Sequence, residues 1–212
     1  MKILIGTTNQ SKVSRFKGFL LGHDVEFLTL KDLNITDEPE EEGRTPKENA
    51  VIKAKYYGQF FDRVICNDSG LYFEGLPIDD PRQPGLNIRT PNQGKRLEDE
   101  EMIQYYSNLV KSLGGKVTAY YMDGIAVYNK GNIYSFMETS EKKRMGAFHM
   151  VSTPSPNRHP GWPLDSISLN KNTGTYFTDE GNNIYDDVEE NIMIGEYRKR
   201  VIAFLEEALG LK

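Results

Sequence analysis

Apolar and polar residues follow two different periods along this chain, and the period assigns most of its elements. Ile3, Leu4 and Ile5 form a short apolar run that stops at Gly6, and the polar segment Thr7 to Lys12 follows. Val13, Phe16 and Leu20 then recur at spacings of three and four, so a buried strand feeds a polar turn that opens a helix. Val25, Phe27 and Leu28 predict a second strand. Thr45-Pro46-Lys47-Glu48 reads as a helix start, with Thr45 as N-cap, Pro46 at the first helical position and Glu48 completing a capping box. Ala50, Ala54, Tyr57 and Phe61 supply the apolar stripe of that helix. Asn49 and Lys53, four residues apart, share another face, which such patterning ordinarily turns to solvent.

Val64-Ile65-Cys66 predicts a third buried strand, Asn67 to Gly70 a turn at its end, and Leu71, Phe73 and Leu76 a return to extended structure. Prolines and Gly85 make Pro81 to Pro91 a loop of restricted shape that carries Arg82 and Arg89. Met102, Tyr105, Tyr106, Leu109 and Leu113 predict a helix closed by Gly114-Gly115. Val117 to Tyr128 is a long strand by its alternation, with Asn132 to Met137 as hairpin partner. Val201, Ile202, Leu205, Ala208 and Leu209 line a last helix that stops at Gly210. No repeat or low-complexity linker interrupts the pattern, so one α/β domain over 1–212 is expected.

Composition narrows the partners. A net charge of −5 without a basic run argues against nucleic acid as the main ligand. A small anion would need local cations and a metal to offset that field. The single cysteine, Cys66, excludes an internal disulfide, fits a reducing compartment, and follows two apolar residues as a small buried hydrophobe would. No segment has membrane-spanning length and no signal peptide is apparent, so a cytoplasmic protein without a membrane partner is expected.

Three separated pieces carry complementary chemistry. The first turn offers hydroxyls on Thr7, Thr8 and Ser11, an amide on Asn9, a point charge on Lys12, and backbone N–H groups at a helix start, a combination that welcomes anions. An ordinary capped strand–helix connection is the plainer reading of the same residues. It is not a P-loop, because the glycines of that motif are missing. Lys53 adds a cation. Asp68 and the acids from Asp37 to Glu42 add carboxylates suited to Mg²⁺, although Asp68 could equally cap a turn at Ser69-Gly70. Metal-assisted hydrolysis of a polyphosphate is the chemistry these groups share.

Taken in order, the same residues resemble the inosine triphosphate pyrophosphatases, which hydrolyse non-standard purine nucleoside triphosphates of the ITP, dITP and XTP type. Thr7 to Lys12 is similar to the family's T-x-N-x-x-K. Glu41-Glu42-Gly43-Arg44-Thr45, Glu48-Asn49-Ala50 and Lys53-Ala54 resemble E-x-G-x-T…E-N-A-x-x-K-A. Asn67 to Leu71 is similar to D-D-S-G-L, and Pro84-Gly85 to Arg89 matches P-G-x-x-x-R. The resemblance implies a long twisted mixed sheet flanked by helices, two lobes around a nucleotide cleft, and a homodimer. It also implies Mg²⁺-dependent cleavage to the monophosphate and pyrophosphate.

By the same resemblance, Asp68, Lys53 and Lys12 would be catalytic. Thr7, Thr8, Asn9, Lys12, Lys53, Ser69, Gly70 and Arg89 would contact substrate, and Glu41 and Asp68 would hold the metal. Trp162 could stack on a purine, with Asp165 beside it in a loose match to F-G-Y-D-P-x-F, and Arg198 is what remains of an S-H-R triplet. Two departures stand out. Asn67 replaces the first acid of D-D-S-G-L, and Glu196-Tyr197 replaces the Ser-His before Arg198. They leave open a nucleotide-binding homologue without turnover, or a pyrophosphatase with another base preference.

Overall fold

The computed structural model describes residues 1–91, 94–139, 146–179 and 188–211, the side chains of 188–194 excepted. Its elements in chain order are β1 (Lys2–Ile5), α1 (Gln10–Phe19), β2 (Glu26–Thr29), α2 (Pro46–Tyr57) and β3 (Arg63–Phe73). Then come α3 (Asp99–Ser112), β4 (Lys116–Asn129), β5 (Asn132–Met137), β6 (Phe148–Val151), a 3₁₀ turn (Pro163–Ile167), β7 (Ser168–Leu169) and α4 (Val188–Leu209). Two compact units divide the chain: Met1–Ser69, Asp123–Glu138 and Gly195–Lys212 form the first, Gly70–Met122 and Thr139–Ile194 the second.

In the first unit β1 runs parallel to both β2 and β3. β4 follows β3 in the strand order and pairs antiparallel with β5, so the sheet is mixed and the fold is α/β. Strand alternation sends side chains to two separate cores. Ile3, Ile5, Ile65, Ile125 and Val127 pack with Val13 and Phe16 of α1 and with Val201 and Leu205 of α4. Leu4, Val64, Cys66 and Ala126 pack with Ala50, Ala54 and Tyr57 of α2. Helices α1 and α4 therefore cover one face, and α2 covers the other. Each fully buried Ile, Leu or Phe contributes roughly 1.5–3 kcal/mol, so these two cores fix where α1 and α2 present their N-terminal turns. The α2 contact is close: a Cβ on Gly124 would overlap the backbone of Pro46 and Lys47.

In the second unit β6 pairs antiparallel with β4 and with β7. Met102, Ile103, Tyr106 and Val110 of α3 pack on Leu71, Phe73, Ala119, Phe148 and Met150. The helix starts with a reciprocal box between Glu98 and Glu101 and ends before Gly114 and Gly115, at φ 101° and 88°.

Three local expectations need correction. Residues 67–70 do not form a turn: β3 continues through them, and Asn67, Asp68 and Gly70 are buried, so Asp68 lies mid-strand and caps no Asx turn. Glu48 accepts from the Arg44 N–H at 2.7 Å, so the carboxylate reaches one residue further back than a capping box predicts. Helix α2 ends at Tyr57, which leaves Phe61 outside it. The short strands β6 and β7 carry too few alternations to be read from the sequence. Among the described residues no helix is long and apolar enough to cross a membrane.

Candidate active site

Helix α1 is positioned by the buried run of β1, and Gly6 donates to the Ile65 carbonyl at 2.9 Å where that strand ends. Gly6 is required there because a Cβ would lie 2.5 Å from the Cys66 sulfur and 2.7 Å from the Tyr57 ring. Beyond it the turn satisfies itself. Asn9 is the N-cap, its Oδ1 accepting from Ser11 and Lys12 at 2.9 and 3.2 Å, and Thr7 Oγ1 accepts from the Asn9 N–H at 3.2 Å. Backbone donors expected to face an anion are thus already held by side chains at three positions, as short polar residues at a helix start favour. What the turn offers outward is the exposed Thr8 hydroxyl, the Asn9 amide nitrogen and the half-buried Lys12 ammonium. Burial lowers the Lys12 pKa below the ordinary lysine value, and the nearby Asp68 carboxylate only partly offsets this.

The second piece is built across α2 and β3. Asn49 and Lys53 do not face solvent: both meet Asp68, which is 9% exposed. Asn49 Nδ2 donates to Asp68 Oδ2 at 3.1 Å, and Lys53 Nζ donates to Oδ1 at 3.4 Å. Asn49 is itself oriented by the Gly43 N–H, which donates to its Oδ1 at 2.8 Å. Lys53 Nζ also reaches Glu41 Oε1 at 2.8 Å. Burial works against the Lys53 charge, but Asp68 and then Glu41 more than compensate, and its pKa stands above the ordinary value. Two carboxylates therefore converge on one ammonium. Asn49 carries more of this arrangement than its place in the sequence suggested; its signal was the i, i+4 spacing to Lys53.

These carboxylates bear on the metal. Among the described residues no group of three or more acidic, histidine or cysteine side chains forms a closed metal cage. Mg²⁺ rarely uses one, since it keeps several waters and takes one or two carboxylates plus substrate phosphates. Glu41 and Asp68, drawn together by Lys53, fit that donor set.

On the opposite face of β3, Ser69 donates to Asp123 Oδ1 at 2.7 Å. Arg15 of α1 lies 3.6 Å from Asp123 Oδ2, and the Tyr197 hydroxyl of α4 donates to that oxygen at 3.4 Å. Neither Arg15 nor Asp123 stands in a motif with recognisable spacing, so the sequence alone does not single them out. Arg198 takes no part here: its guanidinium donates to the Gly18 carbonyl at 2.8 Å and lies 5.7 Å over the Phe19 ring.

The remaining expected residues belong to the second unit. A Cβ on Gly70 would come within 3.1 Å of the Gly85 carbonyl oxygen, while Leu71 and Gly85 exchange backbone hydrogen bonds at 2.9 and 2.8 Å. Arg89 donates to Asp99 at 2.9 Å. Trp162 is 47% exposed and precedes the 3₁₀ turn. Asp165 meets His159 Nδ1 at 3.0 Å; burial raises its pKa and the histidine works against that rise.

A profile of the Ham1 family matches residues 3–146, which contain the first turn, Glu41, Lys53, Asp68 and Arg89 but not Trp162, Asp165 or Arg198. The dITP/XTP pyrophosphatase of Thermoanaerobacter pseudethanolicus is 36% identical over 136 residues, 61% of this chain and 64% of that protein. The dITP/XTP pyrophosphatase of Leptospira interrogans serovar copenhageni is 32% identical over 139 residues, 64% of this chain and 66% of that protein. The matched region thus spans just under two thirds of these curated relatives. Among solved structures, the Ham1 protein of Staphylococcus aureus superposes with a TM-score of 0.71 at 20% identity, covering 98% of this chain and 99% of that one. A HAM1 protein from Coxiella burnetii gives 0.71 at 20% identity, covering 98% and 100%. Those two likenesses speak for the α/β fold, and the profile, spanning well over half of the sequence, for the lineage: the chain belongs to the Ham1 family.

Proposed function

We propose that this chain hydrolyses non-standard purine nucleoside triphosphates (ITP, dITP, XTP type) between the α- and β-phosphates, releasing the monophosphate and pyrophosphate. The observation that carries this reading is the buried Asp68 carboxylate, held by Asn49 and Lys53 and close enough to Lys12 to act on its charge. The names of the curated relatives support the substrate class.

In this reading Asp68 accepts the proton of the attacking water while the anhydride P–O bond breaks and its electron pair leaves on pyrophosphate. Asn49 fixes the carboxylate's orientation through one oxygen, and the Lys53 ammonium pairs with the other. Lys12 and Lys53 neutralise charge on the phosphates, and Thr7, Thr8, Asn9, Ser69, Gly70 and Arg89 provide further substrate contacts. Glu41 and Asp68 would hold Mg²⁺. When bound, the ion would supply charge stabilisation at the phosphate oxygens. Trp162, Asp165 and Arg198 are kept as base-contacting residues on the motif resemblance alone. A homodimeric, cytoplasmic enzyme belongs to the same proposal, and sedimentation of the purified chain tests the first of these.

A panel of triphosphates assayed for pyrophosphate release with and without MgCl₂ tests the function. Release from ITP, dITP or XTP well above ATP and GTP is expected, with loss of rate in EDTA. No release from any triphosphate with the metal present would defeat the enzyme reading. Preferred turnover of a pyrimidine triphosphate would keep the chemistry and move the base preference.

A further inference from the structure

We infer that Arg15 is a further ligand of the substrate's polyphosphate, and that Asp123 is the positioning residue that holds it; the inference rests on the phosphate chemistry proposed above. Lys12 and Arg15 are three residues apart on α1, so they share one side of the helix, a turn apart. Asp123 also takes the Ser69 hydroxyl at 2.7 Å, which ties the Arg15 anchor to the residue next to Asp68. A third donor, the Tyr197 hydroxyl, reaches the same carboxylate from α4. One buried acid thus fastens α1, β3 and α4 at the position where Asp68 emerges from β3.

The guanidinium is only partly used. It lies 3.6 Å from Asp123 through Nη1, and its face rests 5.5 Å over the Phe16 ring. Its Nε and Nη2 are buried, with no hydrogen-bond partner among the described residues. Buried donors left unmet cost stability unless a ligand accepts them. A second observation points the same way. Asn67 is 2% exposed, shares the Ser69 face of β3, and has neither amide atom partnered among the described residues. Unmet donors on a planar fork, with the Lys12 ammonium one turn away, suit a phosphate oxygen, which arginine binds in two-pronged fashion. The side chain as a whole is 32% exposed, so the residue borders solvent although its Nε and Nη2 are themselves buried.

Calorimetry with inorganic tripolyphosphate and MgCl₂ on the whole chain reads this without needing turnover. Arg15→Gln should weaken binding about tenfold and flatten its dependence on ionic strength. Arg15→Lys should recover part of the loss, since it restores charge without the fork. Asp123→Asn should weaken binding less than Arg15→Gln, because the arginine is still present but loosely held. Wild-type affinity and salt dependence in Arg15→Gln, with a native circular dichroism spectrum, would overturn the inference. Should that variant not fold, unchanged affinity in Arg15→Lys would overturn it instead. Tight binding by the wild type without hydrolysis of any nucleotide would defeat the proposed function alone, whereas no binding by the wild type would defeat both.

Discussion

The two faces of β3 place carboxylates in opposite circumstances. On the α2 face, Asp68 is met by an amide and an ammonium, and that ammonium is shared with Glu41. On the α1 face, Asp123 collects a hydroxyl, a phenol and a guanidinium, yet among the described residues the guanidinium keeps two buried donors without partners, and Asn67 of β3 has neither amide atom partnered. A buried ion pair with its hydrogen bonds made is complete in the folded chain, while unmet donors look outward for an acceptor. The α2 face therefore reads as the place where the reactive carboxylate is prepared, and the α1 face as the place where a ligand's charge finishes the structure.

The largest expected effect breaks the first half of that contrast. Asp68→Asn removes the base while leaving an atom for Asn49 and Lys53 to address, so pyrophosphate release should fall by about 10²–10⁴-fold. Tripolyphosphate affinity measured without MgCl₂ should hold or rise, because a negative charge has gone. An Asp68→Asn enzyme with wild-type turnover would remove the distinction between the two faces. Lys53→Met comes next. It strands two carboxylates that the lysine joins, one of them 9% exposed, and should cost on the order of 3 kcal/mol of stability. A melting temperature equal to wild type would mean that the pair is not tight in solution.

A pH experiment sharpens the comparison at smaller amplitude. Folding lowers the Lys12 pKa, chiefly through burial, and raises that of Lys53 through its carboxylates. For Lys12 the folded chain binds fewer protons than the unfolded one between the lowered value and 10.5, so its contribution to stability improves as pH rises through that window. For Lys53 the signs reverse: its stabilisation is whole below 10.5 and fades as pH climbs through the raised value. Phosphate binding should consequently weaken on the alkaline side at a lower pH than an ordinary lysine would dictate. Lys12→Arg should abolish that early weakening, and calorimetric affinities with tripolyphosphate across the alkaline range decide it.

How much of this the sequence disclosed depends on whether an interaction was local. The strand–turn–helix opening, the Thr45 cap, the Asn132 to Met137 hairpin strand and the Gly210 stop are set by neighbours along the chain, and period and capping rules found them. Cys66 was legible too, because its flanking apolar residues imply burial, and burial does push its thiol pKa up. Asp68 was found by motif but misplaced in structure. The Asn-Asp-Ser-Gly composition favours a turn locally, yet β3, which lies between β1 and β4 in the sheet, stays extended through it. Asn49 looked solvated because an amphipathic stripe says which face is apolar, not what else packs on the polar one. Arg15, Asp123 and Tyr197 meet across 54 or more residues of chain, as the Ser69–Asp123 bond illustrates, and no spacing rule reaches that far.

The smallest effect tests how Asp123 divides its work. Tyr197→Phe deletes one donor to Oδ2 while leaving Ser69 on Oδ1 and Arg15 nearby. At 3.4 Å that bond is long, and the phenol stays a neutral donor because burial and Asp123 hold its pKa well above the ordinary tyrosine value. The ring itself would keep its place against Phe136, 6.4 Å away between centroids. A loss of about 0.5–1.5 kcal/mol in denaturant unfolding is therefore expected, with tripolyphosphate affinity changed less than twofold. Ser69→Ala removes the shorter, 2.7 Å bond to a carboxylate and should cost more, nearer 1.5–3 kcal/mol. Should Tyr197→Phe instead weaken phosphate binding as strongly as Arg15→Gln, the phenol and not the carboxylate would be what sets the arginine's direction, and the α1 face would owe its geometry to α4.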